Sequence, residues 1–271
     1  AGTSTGQVVV WPLSATGPGT AAVHQLFPST SRISSLAVSA SGSLVAATEY
    51  TGTHTVLYST GSGQWQLAAQ LDTPAPQVVQ FNPAGTMLEV GLGLNTVQLW
   101  SVETPTSPRL RGSLDVGSTP TTSQWFPSSA RIAVGTDSGV VSIWDVSDPG
   151  APRQVQAYTE PQSGIYALSI SPDESQLSGG GGDGLIWGWS LNSSGRTATT
   201  ALNPDIGRIN ETHLIDGGRQ LVAAGDTGEV RIWDTDPAAA RSRLCTQRGQ
   251  VLTESEWHKY LPGVATDDPC S

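Results

Sequence analysis

The sequence is short of charge. Only 13% of its 271 residues are Asp, Glu, Lys or Arg, about half the usual share, and a single lysine, Lys259, stands among the 13 basic residues. What charge there is leans acidic, to a net −10. An acidic surface repels a phosphate backbone and no basic run offsets it, so nucleic acid is not an expected partner. No stretch of about 18 apolar residues occurs, which excludes a helix that crosses a membrane. No signal-peptide pattern opens the chain. Methionine is almost absent too. The only one is Met87, and a chain that opens on Ala1 is expected to be a processed or excised piece.

Chemistry-bearing motifs are equally scarce. There is no Gly-x-x-x-x-Gly-Lys phosphate loop and no Gly-x-Ser-x-Gly nucleophile elbow. The four histidines, His24, His54, His213 and His258, are scattered without metal-ligand spacing. The run GGGGDG (Gly179–Gly184) looks like a phosphate cradle, but a strand-like LIWGW follows it where a cradle needs a helix. It reads as a hairpin between two strands. Asp173 with Glu174, and Asp267 with Asp268, lack the alternating oxygen ligands of a calcium loop. No cofactor and no metal is therefore expected, nor an enzyme, apart from a site built in a central channel from side chains far apart in sequence.

What the chain does contain is repetition. Strand-like segments close on an aromatic at Trp11, Tyr58, Trp100, Trp144, Trp189 and Trp233, in steps of 47, 42, 44, 45 and 44 residues. Polar turns marked by Ala40, Pro83, Pro127, Pro172 and Asp216 recur in phase, in steps of 43, 44, 45 and 44. Three residues before each closing aromatic stand Val8, Thr55, Val97, Val141, Ile186 and Val230, all β-branched and suited to an extended backbone. One residue before it stand Val10, Leu57, Leu99, Ile143, Gly188 and Ile232, so one face is apolar with a period of two in nearly every copy. Five residues before it come Gly6, Asn95, Gly139, Gly184 and Gly228, with Gly52 displaced by one in the second unit. Residues that accept positive φ at that point predict a tight hairpin turn. About 44 residues fit four strands and four short turns, and four-stranded units of this kind cover their two faces by stacking radially. The expectation is an all-β propeller.

The units resemble WD repeats, whose third strand ends in Trp-Asp after a Gly-containing turn. The resemblance covers residues 1 to about 236. Trp144–Asp145 and Trp233–Asp234 carry the dipeptide, Trp100–Ser101 and Trp189–Ser190 approach it, and Trp11–Pro12 and Tyr58–Ser59 are degenerate. The family's Gly-His pair is missing throughout, so its Asp–His–Ser–Trp hydrogen-bond set is not available here. Packing and main-chain pairing must carry the blades instead. The first repeat is partial: Ala1–Gly2 reads as the end of a second strand and no first strand precedes it. Six repeats are recognisable, a seven-bladed parent is expected, and a missing N-terminal segment or partner strands are expected to complete the ring.

After Asp236 the pattern changes. Asp236 and Pro237 suit the start of a helix, and Thr253 with Glu256 suits a capping box before Pro262–Gly263. The division expected is a propeller over 1–236 and a helical tail over 237–271, packed on the last blade. Cys245 and Cys270 bracket that tail. As a disulfide they would pin it to the last blade, worth roughly 3–4 kcal/mol on a chain-entropy estimate, and imply an oxidising compartment. Two free thiols in a reducing compartment is the alternative. The tail also resembles the ending of bacterial WD-repeat proteins of the actinomycete type, on Leu244–Cys245, Leu252–Thr253, Glu256–Trp257, Tyr260 through Gly263, and Cys270. Many of those join the propeller to STAND-class signalling NTPase modules, often across a membrane helix. Low charge with abundant Ser, Thr and Gly, together with the disulfide reading, points to an extracytoplasmic location, at the cell surface or secreted, and the resemblance adds a tether through a missing N-terminal membrane segment.

Nine tryptophans invite a ligand-cage reading, but five close a third strand and Trp125 falls in a first strand, which are core positions. Function is then expected in the loops. Those that share one face of a WD-type blade carry Arg32, Tyr50, Gln77, Asp137, Tyr166, Arg208 and Asp226, and Tyr and Arg are frequent interface anchors. The function expected is a non-catalytic propeller that binds a protein partner or small ligand, as the scaffold or sensor part of a larger bacterial protein. The alternatives are a propeller enzyme with a channel site and a structural subunit of a larger assembly.

Overall fold

The computed structural model describes residues 1–14, 17–27, 32–61, 65–192 and 200–236, with Ser242 and Thr246 beyond them. The expected helical tail and both cysteines, Cys245 and Cys270, fall in the stretch that, those two residues aside, lies outside the described residues.

Apart from one turn of 3-10 helix at Asp216–Gly218, the elements among the described residues up to 236 are strands, arranged as antiparallel sheets in series. Sheet I pairs β1 (Gln7–Val10) with β4 (Ala22–Gln25), across a small hairpin of β2 (Leu13–Ser14) and β3 (Gly17–Pro18). Sheet II holds β5 (Ile33–Val38), β6 (Leu44–Glu49), β7 (His54–Ser59) and β8 (Gln66–Asp72). Sheet III holds β9 (Pro76–Phe81), β10 (Met87–Leu92), β11 (Thr96–Ser101) and β12 (Arg109–Asp115). Sheet IV holds β13 (Pro120–Trp125), β14 (Arg131–Thr136), β15 (Val141–Asp145) and β16 (Arg153–Tyr158). Sheet V holds β17 (Ile165–Ile170), β18 (Gln176–Gly181), β19 (Ile186–Ser190) and β20 (Thr200–Leu202). Sheet VI holds β21 (Ile209–Ile215), β22 (Gln220–Gly225) and β23 (Val230–Asp234).

From sheet II onward each sheet packs through its first strand on the first strand of the next: β5 on β9, β9 on β13, β13 on β17, β17 on β21. First strands in mutual contact with the remaining strands fanning outward make the expected all-β, WD-like propeller architecture. The apolar clusters follow the same plan, each filling a seam between consecutive sheets. Leu99 and Leu114 of sheet III meet Trp125 and Trp144 of sheet IV, and Ile143 and Tyr158 of sheet IV meet Ile170 and Trp189 of sheet V. A single sheet buries too little alone, so the stack is the unit of stability.

Two sequence features make the seams close. In β11 and β15 the alternating residues Val97 and Leu99, and Val141 and Ile143, are buried against the following sheet. In the second strands a glycine lets backbones approach. A Cβ on Gly135 would stand 2.8 Å from Ile165 Cγ2, the first residue of the next sheet. Gly2 stands in the same relation to Ile33, at 2.7 Å.

The predicted turn before the third strand has positive φ at Gly6, Asn95, Gly139, Gly184 and Gly228. In the second unit the left-handed residue is Thr51 rather than Gly52. Gly52 is needed for a different reason: a Cβ there would meet Glu49 Cβ at 2.8 Å. The GGGGDG run is not all hairpin, since Gly179 to Gly181 lie within β18 and only the last three residues turn.

The indole nitrogens show what replaces the missing family network. Trp100 Nε1 donates to Gln98 at 3.0 Å and Trp144 Nε1 to Ser142 at 2.9 Å, each two residues back on its own strand. For Trp189 the residue two back is Trp187, which offers no acceptor, and its buried Nε1 has no hydrogen-bond partner.

Candidate functional site

One rim of the propeller is built by a hydrogen bond repeated five times. It joins the residue before each first strand to the residue after each second strand. Tyr50 N donates to Arg32 O at 2.8 Å, Gly93 N to Ala75 O at 2.8 Å, Asp137 N to Thr119 O at 3.0 Å, Gly182 N to Gly164 O at 2.9 Å, and Asp226 N to Arg208 O at 3.1 Å. The bond holds Arg32, Tyr50, Asp137, Arg208 and Asp226 at the strand ends that form this rim, whereas Gln77 and Tyr166, expected in loops, lie one residue inside the first strands β9 and β17.

A second repeated feature aims side chains there. Every first strand in sheets II to VI has a β-bulge beside its second strand, and the residue left out of the ladder is Ser34, Gln77, Thr121, Tyr166 or Asn210. Bulges re-aim the extra side chain. Three of these serve the scaffold. Ser34 Oγ shares a hydrogen bond with Thr48 Oγ1 at 2.8 Å and donates to Pro76 O of the next sheet at 3.3 Å. Thr121 Oγ1 donates to Ile165 O, also across a seam, and Gln77 Nε2 donates to Ala75 O at 3.1 Å. Gln77 is thus held within sheet III.

The other two form a compact group. The Arg208 guanidinium carbon lies 4.3 Å from the centre of the half-buried Tyr166 ring, a cation–π stack between sheets V and VI. Arg208 Nε donates to Asn210 Oδ1 at 3.0 Å, and Asn210 Nδ2 donates to Asp226 Oδ1 at 2.7 Å. The chain Asp226–Asn210–Arg208 holds the guanidinium over the ring. Two glycines crowd the Tyr166 ring and hydroxyl: a Cβ on Gly164 would be 2.9 Å from the hydroxyl, and one on Gly182 would be 3.1 Å from ring carbon Cε2. Gly164 also places Asp137 nearby, since that Cβ would be 3.0 Å from Asp137 O, and the Asp137 carboxylate accepts a hydrogen bond from Ser118.

Tyr166, Arg208, Asp226 and the Asp137 main chain therefore come together across sheets IV to VI. Arg32 and the exposed Tyr50 make a looser pair in sheet II, 5.5 Å from cation to ring centre. Sequence reasoning missed Asn210, Gly164 and Gly182. The signal for Asn210 was its position, two residues after Arg208 as Tyr166 is two after Gly164.

The group offers an aromatic face, a fixed cation and hydrogen-bonding groups, which suits recognition. Among the described residues no three His, Cys, Asp or Glu side chains gather as a metal site, and no helix is long and apolar enough to cross a membrane. One carboxyl is strongly perturbed: burial pushes Glu89 up to about 8. It lies in the seam between sheets III and IV with no solvent exposure, away from this rim.

No curated protein matches the sequence. Residues 152–190 match the sequence family described as WD domain, G-beta repeat, a span that takes in β16 to β19, from the fourth strand of one sheet to the third of the next. Together with the four-stranded antiparallel sheets repeated in series, this match supports a WD-repeat propeller.

Proposed function

We propose that this chain is a non-catalytic propeller that binds a protein partner, or a small ligand, through the rim carrying Tyr166, Arg208 and Asp226. WD repeats generally mediate protein interactions as scaffold modules. The observation that carries the reading here is the Arg208–Tyr166 stack with its Asn210–Asp226 brace, because a preorganised Tyr–Arg pair on a rigid rim loses little freedom when a partner docks. Arg32 and Tyr50 extend the same face.

The wider reading follows the resemblance of the tail. The chain acts as scaffold or sensor module of a larger bacterial signalling protein, outside the cytoplasm, with 1–236 as propeller and 237–271 as a helical tail held by a Cys245–Cys270 disulfide. The test is capture of a binder by the 271-residue chain, followed by the Tyr50→Ala, Tyr166→Ala and Arg208→Ala variants. Affinity falls for the last two most. Unchanged binding in all three moves the site off this rim.

A further inference from the structure

Arg208 is held in place, yet its charge is not neutralised within the chain. The Tyr166 ring covers one face of the guanidinium, 4.3 Å from ring centre to guanidinium carbon, and Nε donates to Asn210 Oδ1 at 3.0 Å. Among the described residues no hydrogen bond or ion pair engages Nη1 or Nη2. Three other arginines differ. Arg131, Arg219 and Arg231 each set Nη2 against a carboxylate of this chain, at 2.7, 2.8 and 2.8 Å.

An acid is close enough to do the same for Arg208. Asp226 N donates to Arg208 O at 3.1 Å, so the two side chains leave from hydrogen-bonded backbone, within reach of each other. Asn210 stands between them. Its Nδ2 donates to Asp226 Oδ1 at 2.7 Å, which turns its Oδ1 toward Arg208 Nε. The acid orients the amide and the amide orients the guanidinium, and no ion pair closes over the cation. Its far end remains, where Nη1 and Nη2 present two parallel N–H donors. That fork matches the paired oxygens of a carboxylate or a phosphate.

The surroundings choose between these two. The chain has a net charge of −10, and Asp137, Asp183 and Asp226 share the rim with Arg208. A phosphate monoester brings close to two negative charges against those carboxylates, and a carboxylate brings one. We propose that Arg208 binds a single carboxylate of the partner end-on through Nη1 and Nη2, and that Asn210 keeps Asp226 from taking that place. The proposal rests on the reading of this rim as the binding face and adds the chemistry it recognises. The carboxylate is that of one acidic side chain or of a chain's C-terminus. A run of acids meets the same repulsion as a phosphate.

Acetate is the simplest probe. Titrated at constant ionic strength into the isotope-labelled 271-residue protein, it should shift the NMR signals of Arg208 Nε–H and Asp226 N–H saturably, with a Kd of about 1–10 mM. Asn210→Ala should weaken acetate about two- to fivefold, because Asp226 then pairs with Arg208 itself, and adding Asp226→Asn should restore it. Unchanged affinity in Asn210→Ala overturns the part given to Asn210. Methyl phosphate binding more tightly than acetate overturns the choice of carboxylate. Two capped tripeptides name the source, one with an internal glutamate and an amidated end, the other all glycine with a free C-terminus. The tighter of the two identifies it, and equal failure of both where acetate binds overturns a partner's carboxylate as the ligand. Shifts that follow ionic strength alone, in acetate as in chloride, overturn the site. If a captured binder is nonetheless lost in Arg208→Ala, the rim reading stands without this inference. A binder indifferent to Arg208→Ala, together with silence toward acetate, overturns both.

Discussion

Ser123 on β13 donates a hydrogen bond across the seam between sheets III and IV to Glu89 on β10. Glu89 is fully buried, its other carboxyl oxygen has no hydrogen-bond partner, and β9, β11 and β13 around it carry no ionisable residue. Burial raises its carboxyl from 4.5 to about 8, against a lowering by the Ser123 hydroxyl. The folded chain therefore keeps a proton that the unfolded chain releases above about 4.5. Stability is highest below that value and falls as pH rises toward 8, by up to about 1.4 kcal/mol per pH unit. Glu89→Gln should flatten this slope and make the protein more stable than the wild type above pH 8. Urea midpoints measured from pH 5 to 9 decide it; parallel slopes would mean that the carboxyl is ionised in the fold.

The next seam carries an ion pair with the opposite dependence. Arg131 Nη2 lies 2.7 Å from Glu174 Oε2, Ser128 N donates to the same carboxylate at 2.6 Å, and the Arg131 guanidinium sits 4.1 Å from the centre of the Phe126 ring. Burial pushes the Glu174 carboxyl up, but Arg131 and Ser128 together bring it below its ordinary value. Its contribution is present above that ordinary value and lost as pH falls through the lowered one. Both side chains keep some solvent contact, so Glu174→Gln should cost only about 0.5–1 kcal/mol at pH 7. The gap between variant and wild type should close in acid and shrink in high salt, which thermal melts at two salt concentrations will show.

A sharper cost is expected where backbones touch. Gly135 faces Ile165 and Thr122, and a Cβ there would stand 2.8 and 2.9 Å from their methyl carbons. Gly135→Ala should destabilise by about 1–3 kcal/mol through overpacking of the seam. Gly61, with nothing within 4 Å of a Cβ, serves as the comparison, and Gly61→Ala should stay within about 0.5 kcal/mol. Chemical denaturation of the two variants side by side separates a packing effect from a general helix- or strand-propensity effect.

How far the sequence could be read follows from which contacts are local. The third strands were legible because alternation and a closing aromatic lie within six residues, as in Val141 to Trp144. The bulges were not, because the omission of Tyr166 from the ladder depends on how β17 and β18 register with each other. The Tyr166–Arg208 stack joins residues 42 apart, one repeat less two positions, so only the seam geometry reveals that they meet. Gln77 and Asp137 were candidates on expected loop position, and Arg32 and Tyr50 on that and on residue type, although Gln77 lies within β9. That position says which face they occupy and not that Gln77 would turn back onto Ala75.

The same limit makes the last prediction. Ile143 and Ile232 hold the same place in two copies of the repeat, each just before a Trp-Asp pair, and sequence gives no reason to treat them differently. Ile143 is 1% exposed because sheet V covers it, whereas Ile232 on β23 is 62% exposed. Truncation of a buried Ile leaves a cavity and costs about 2–5 kcal/mol, so Ile143→Ala should fall in that range. Ile232→Ala loses only surface contacts and should cost within about 0.5 kcal/mol. Denaturant midpoints of the two variants measure the difference directly. If Ile232→Ala proves as costly as Ile143→Ala, then the outer face of β23 is covered in solution, and the sheet that covers it packs there as each sheet does on the one before it.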